Sequence, residues 1–410
     1  MTSIRNRAFA ALTALFLVGP AVAMGLHGMH VPLPSAFDTG QAHMHLEGRN
    51  AQGMPDCGPE SLLDGTFQEE TELFMADHVP LHDQALEASA ALQRASIAQS
   101  ARVMGYDVYP SYFGSIYLYE PGKSAVWHMP NQADPEAAYE PRMHTFGEGI
   151  AAVAARHPET RFCLVVPAGG ATPAMNPAYP LMANPQYPEP LLEVLREELA
   201  DVPNVVLVSN IGDYDDEEDY FQEYFRTDHH WNPPGSARLY NQAAEALDLA
   251  LIHEQPTIEL GRNMGSYARN GLVPVDEKSV DIDEQFPGVC LIDPETGTAV
   301  PVDEHRYYDP SSPEGYYDFY NRYYRQVEYY TGPGSGTAML ICDSFAAPMI
   351  APIAANYETT HRIGDLYQKK QGNPSLEALI DEQQPNDVWI VGIPADLMSL
   401  VSRVPGYFDE

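Results

Sequence analysis

The 410-residue chain carries 22 Lys+Arg against 58 Asp+Glu, a formal charge of −36, with 44% hydrophobic residues. That length and apolar content allow a real core in one large domain or two smaller ones. The charge argues against nucleic acid or an anionic membrane surface as partner, because both repel it; neutral and amino-bearing ligands remain compatible.

In chain order, residues 1–23 come first. Arg5 and Arg7 give a basic start, Ala8 to Val18 an apolar core, and Ala21-Val22-Ala23 a small-residue cleavage pattern. This predicts a secretory signal peptide and a secreted or cell-surface protein. An uncleaved anchor is the alternative, although Gly19-Pro20 interrupts the run and it falls short of the ~20 residues a span needs. Residues 24–75 are rich in Gly, Pro, Met and His without periodicity and read as a flexible linker. His27, His30, His43 and His45 in it are metal-scavenging candidates at most.

A domain over 76–403 follows. A helix is expected over 82–104, then a β-hairpin with alternating aromatics in "YDVYPSYFGSIYLYEPG" (106–122). Met143, Phe146, Ile150 and Val153 recur at helical spacing and give a helix ending near His157. Then come the strand "RFCLVVP" (161–167), the helix "LLEVLREELA" (191–200) and the strand "NVVLVSN" (204–210). The acidic run "DYDDEED" (213–219) reads as a solvated loop, its spacing being unlike that of an EF-hand. Pro234 suits the first position of a helix over 235–251.

Residues 255–335 break the rhythm as a β-rich insertion. It holds a tyrosine cluster (Tyr307, Tyr308, Tyr316, Tyr317, Tyr320, Tyr323, Tyr324, Tyr329 and Tyr330) that fits either half-buried packing or sugar stacking. Afterwards the strand "TAMLICD" (337–343), a helix from Phe345, a strand near 359–365, a helix over 375–383, the strand "DVWIVGI" (387–393) and a short helix complete the chain. Strands alternating with helices argue for an α/β fold around a mostly parallel sheet. Cys57, Cys163, Cys290 and Cys342 match no metal spacing. Export permits disulfides, but their pairing is open.

"RTDHHWNPPGSA" (226–237) concentrates the chemistry. Asp228, His229 and His230 are metal-ligand types, yet no His-x-Asp-x-Asp-Gly stretch accompanies them as in the Asp-His-His phosphoesterases. A polar loop is the plainest reading. "LICDSFAAP" (340–348) shifts the balance, since it places Ser344 where a strand passes into a helix, at the carboxyl edge of a parallel sheet. A serine there needs a base to take its proton and a carboxylate to orient that base. His230 and Asp228, two apart at the end of a strand, supply both. On an extended segment His229 would face the other way.

These segments together resemble the bacterial DHHW proteins, which are similar to the alginate O-acetyltransferase group of SGNH-like hydrolases. The shared pattern is Thr227-Asp228-x-His230-Trp231, Gly235 four residues on, and then Asp343-Ser344-Phe345. The aromatic hairpin and "GSYAR" (265–269) also fit, and the likeness spans roughly residues 80–400. It implies a circularly permuted, flavodoxin-like SGNH sheet, with the serine strand counted first and the Asp/His pair ending the other half.

The resemblance further implies Ser344 as nucleophile, His230 as base and Asp228 as orienting carboxylate, with Asp343 and Trp231 in support and no cofactor or metal. It departs from the family at Cys342, where glycine is usual, and near Gly392-Ile393-Pro394, which lacks the usual asparagine oxyanion donor. Arg269 and Asn356 are the substitutes considered. The implied activity is O-acetyl transfer on an extracellular polysaccharide, with an acetyl donor and a membrane-bound O-acyltransferase as partner. An acetyl-esterase and a glycan-binding relative with a decayed site are the alternatives.

Overall fold

The computed structural model describes residues 52, 53, 55, 57–77, 82–105, 107–110, 116–120, 123–127, 139–169, 188–253, 257–263, 265, 277–282, 284–302, 327–364, 374–403 and 406–408. The leader, Arg269 and the tyrosines from 307 to 324 lie outside them.

The chain forms two compact units, residues 1–100 with 268–274 and residues 101–267 with 275–410. In the first, α1 (Pro59–Asp64), α2 (Thr66–Asp77) and most of α3 (His82–Val103) are helical. The linker expected over 24–75 therefore gives way to helix at Pro59. Pro59 stands at the first helical position and Gly65 ends α1 with φ +90°, a conformation that costs glycine nothing. No helix among the described residues is long and apolar enough to cross a membrane.

The second unit opens with β1 (Asp107–Pro110), β2 (Ile116–Glu120) and β3 (Lys123–Trp127), an antiparallel sheet one strand larger than the expected hairpin. Next come α4 (Tyr139–Arg156), β4 (Arg161–Val166), α5 (Glu189–Leu199), β5 (Val205–Ser209), α6 (Glu217–Glu223) and α7 (Pro233–Ala246). Met143, Phe146, Ile150 and Val153 form the buried stripe of α4.

The acidic run is not wholly loop. Asp216 caps α6 by accepting from the Asp219 N–H at 3.0 Å, and the acidic first turn suits the positive end of the helix. Asn232 caps α7 by accepting from the Gly235 N–H, with Pro233 and Pro234 as its first two residues. This helix starts and stops earlier than the sequence suggested.

β6 (Thr257–Asn263) and β7 (Glu277–Ile282) pair as a separate ribbon. β8 (Cys290–Ile292), β9 (Ala299–Pro301), β10 (Val327–Thr331), β11 (Thr337–Cys342), a 3-10 turn (Ser344–Met349), α8 (Ile350–Ala354), β12 (Thr359–Ile363), α9 (Leu376–Gln383), β13 (Asp387–Val391) and α10 (Pro394–Arg403) follow. The main sheet runs β5-β4-β13-β11-β12-β10-β8-β9. Its first five strands are parallel, and the last three join antiparallel. The sheet is thus mixed, because the β-rich segment supplies strands to its edge.

β13, between β11 and β4, is buried along its whole length, as a strand covered on both faces must be. Cys163 and Cys342 are buried free thiols in β4 and β11. Across β10 and β12, Glu328 and Arg362 face each other and bond at 2.8 Å with both side chains buried. Such pairing is what makes buried charge tolerable.

Candidate active site

The five parallel strands end at one edge, and Ser344 lies just beyond β11 there. Asp343 makes the turn. Its backbone N–H donates to Val391 O at 3.0 Å. One carboxyl oxygen accepts from the Phe345 N–H at 2.8 Å and the other from the Ile393 N–H at 3.0 Å. The side chain thereby fastens the serine turn to the loop after β13. Burial first, then repulsion from Asp396, raises the Asp343 carboxyl well above its ordinary range, so it is held toward the neutral form.

The Asp/His pair arrives by another route. It does not end a strand directly: α6 follows β5, and residues 225–230 form a bend closed by a bridge between Tyr224 and Trp231. Asp228 Oδ1 accepts from the His230 backbone N–H at 3.1 Å, a local turn of the kind aspartate favours. That turn, rather than an extended segment, puts both side chains on one side. His230 Nδ1 lies 2.5 Å from Asp228 Oδ1, and His230 Nε2 lies 2.7 Å from Ser344 Oγ. Asp228 and His230 are buried.

His229 does not face away as alternation predicted. Its ring packs on that of His230 with centroids 3.8 Å apart, and its Nδ1 lies 3.2 Å from Asp228 Oδ1. Burial chiefly, with the neighbouring His230 adding to it and Asp228 opposing, pushes its pKa down to about 4. His229 is therefore neutral at physiological pH. Ligand-type atoms of Asp228, His229 and His230 lie within 4.8 Å of one another, close enough to hold a metal ion.

Trp231 joins the two halves of the site. It is fully buried, its indole N–H donates to Phe345 O at 2.8 Å, and its ring meets Phe345 edge-on. With its one donor committed, Trp231 supports the turn and offers nothing to an oxyanion.

Two glycines are steric necessities. A Cβ at Gly235 would fall on Glu223 O, and one at Gly265 on Thr227 O and Asp228 Cβ. Asn356 is elsewhere. It follows α8 at the opposite edge of the sheet, where it bonds Tyr240, Pro352 and Ala250. It is therefore no oxyanion donor to Ser344.

Sequence reasoning missed Glu277. From the first position of β7 its carboxylate accepts from the Arg226 N–H at 2.6 Å, the Thr227 N–H at 2.9 Å and the Thr227 hydroxyl at 2.6 Å. Thr227 Oγ1 accepts in turn from the Gly265 N–H. A lone glutamate fifty residues away carries no sequence signal of this. Gly364 is buried directly after β12, one residue beyond the parallel pair Ile341 and Ile363.

The chain is similar to a DHHW family protein. That structure, from Eubacterium siraeum, is 14% identical, covers 71% of this chain and 94% of its own, and gives a TM-score of 0.44. Bacillus cereus PatB1 with a sulfonyl adduct is 14% identical over 72% of this chain and 97% of its own, TM-score 0.47. The O-acetyltransferase domain of Pseudomonas putida AlgJ is 14% identical over 74% and 97%, TM-score 0.37. No family model and no curated protein matches the chain.

Proposed function

We propose that the protein is an exported serine O-acyltransferase that moves acetyl groups to or from an extracellular polysaccharide. The observation that carries the reading is the unbroken line from Asp228 through His230 to Ser344, with separations of 2.5 and 2.7 Å. His230 is oriented by Asp228 at one nitrogen and meets the hydroxyl with the other, as general-base activation of a serine requires.

In the first step Ser344 Oγ attacks an acetyl carbonyl while its proton passes to His230 Nε2. Asp228 stabilises the imidazolium. Collapse expels the donor's alcohol, protonated by His230, and leaves acetyl-serine. A sugar hydroxyl, deprotonated by His230, then takes the acetyl group; water taking it would make the protein an esterase. The tetrahedral oxyanion needs donors. The Ser344 N–H at the start of the turn is one, and the backbone of Gly364 is the position we assign to a second, in place of Asn356.

Strand order supports the fold reading. Counted from the serine strand, β11, β12, β13, β4 and β5 lie in the order 2-1-3-4-5, that of flavodoxin-like sheets. The chain is then that sheet circularly permuted. Transfer is favoured over hydrolysis by the sequence resemblance, which also supplies the membrane-bound acyltransferase as partner and the polysaccharide as substrate.

The deciding experiment follows acetyl release from a chromogenic acetyl ester with and without candidate glycans. Glycans that speed the phase after the burst and become acetylated establish a transferase. A phase indifferent to them establishes an esterase. Protein that binds acetylated glycan yet never turns over any ester would leave only the binding role.

A further inference from the structure

His229 is the residue of the Asp-His-His-Trp stretch that the proposed serine chemistry leaves unused, yet it is drawn into the site. Asp228 Oδ1 lies 2.5 Å from His230 Nδ1 and 3.2 Å from His229 Nδ1. Two imidazole nitrogens thus converge on one carboxylate oxygen. Tetrahedral zinc with bonds of about 2.0–2.2 Å has its ligand atoms about 3.3–3.6 Å apart, so modest ring movements, chiefly a parting of His230 Nδ1 from Asp228 Oδ1, convert this cluster into three zinc ligands. The His229 side chain is 23% exposed, which leaves a path for an ion and a water as fourth ligand.

We propose that Asp228, His229 and His230 form an inhibitory site for a divalent transition metal of the zinc class. The ion replaces the proton shared between Asp228 and His230. A metal bond at His230 Nδ1 needs the lone pair there. The same holds at His229 Nδ1. On each ring whose proton sits on Nδ1, that proton passes through water to Nε2, so both rings stay neutral and no net proton is released; His230 in particular becomes protonated at Nε2. Nε2 then presents N–H to Ser344 instead of a lone pair, and the hydroxyl has lost its base. Nothing is oxidised or reduced. The inhibitory consequence rests on the serine chemistry proposed above; the binding itself does not.

The test titrates the full-length protein with zinc chloride, reading acetyl-ester turnover and, by calorimetry, zinc bound. The same titrations are run on His229→Ala and on His229→Gln, which keeps a polar group beside Asp228. Only differences from wild type count, so that any zinc held by other histidines of the chain cancels. Saturating zinc should lower wild-type turnover roughly a hundredfold, the worth of a general base, and a chelator should restore it. Both variants should keep most basal turnover, bind one zinc fewer and need at least roughly tenfold more zinc for inhibition. Equal inhibition in wild type and variants, or an active protein indifferent to zinc, overturns the proposal. If no form turns over any ester but wild type still binds one zinc more than the variants, the metal site stands and the serine chemistry falls.

Discussion

His230 has two ring nitrogens, and the fold gives them different partners, Asp228 and Ser344. His229 meets Asp228, the His230 ring and the Phe345 ring, and Ser344 Oγ lies against His230 Nε2. His230→Ala should therefore cut turnover by roughly 10²–10⁴, while His229→Ala leaves most of it. Steady-state kinetics on the two variants check this, and the reverse ranking would reassign the base.

Asp343 couples stability to pH. Below about pH 3.9 the carboxyl is protonated in both folded and unfolded chains, so it contributes no pH dependence. Above that, the unfolded chain ionises freely while the buried, Asp396-facing group resists, and stability falls with rising pH up to the raised folded pKa. Asp343→Asn keeps an acceptor for the Phe345 N–H but loses one for Ile393. Wild type should exceed this variant in Tm most at pH 5, with the gap narrowing by pH 8. A gap that widens with pH would contradict the assignment.

The ribbon of β6 and β7 acts as a clip on the turn that carries Asp228 and His230. Glu277 takes three donors from Arg226 and Thr227, and Gly265 lies against Asp228. Hydrogen bonds to a charged group are worth about 1.5–3 kcal/mol each, and the lost set leaves Thr227 buried without its acceptor. Glu277→Ala should lower stability by about 2 kcal/mol in denaturant unfolding and lower kcat well beyond any change in KM. Glu277→Gln, which retains one acceptor oxygen, should recover part of both. Full kcat in a Glu277→Ala protein of lowered stability would mean the clip is merely structural.

This element also marks where the sequence stopped being legible. The parallel strands and α4 announced themselves by apolar runs and by the spacing of Met143, Phe146, Ile150 and Val153. Asp228, His230 and Ser344 did so by residue type and order. The clip did not, because its contacts join positions 227 and 277 without any local pattern. The acidic run hid α6, whose signal was the Asp216 cap and not an apolar stripe. Alternation failed for His229 because the segment is a bend, where strand periodicity does not apply.

On the scale of the whole molecule, one sheet edge joins two halves that are far apart in sequence. Asp228 and Ser344 are separated by more than a hundred residues, and they meet because β4 and β5 lie beside β13 and β11. Trp231 and Phe345 then bolt the halves together. The parallel core and its carboxyl edge were legible from alternating strands and helices. The antiparallel extension by β8, β9 and β10 was not, since short strands in a Pro- and Gly-punctuated segment do not reveal which sheet they join.

The proposed chemistry stands or falls on Ser344 Oγ as the nucleophile. The direct measurement is the mass of the peptide carrying Ser344 after brief incubation with an acetyl ester and acid quench. One acetyl group is expected on Ser344 in wild type, and none in Ser344→Ala at an unchanged circular-dichroism spectrum. Wild-type protein that turns over the ester while Ser344 stays unmodified at every quench time, or a Ser344→Ala protein as active as wild type, would contradict it.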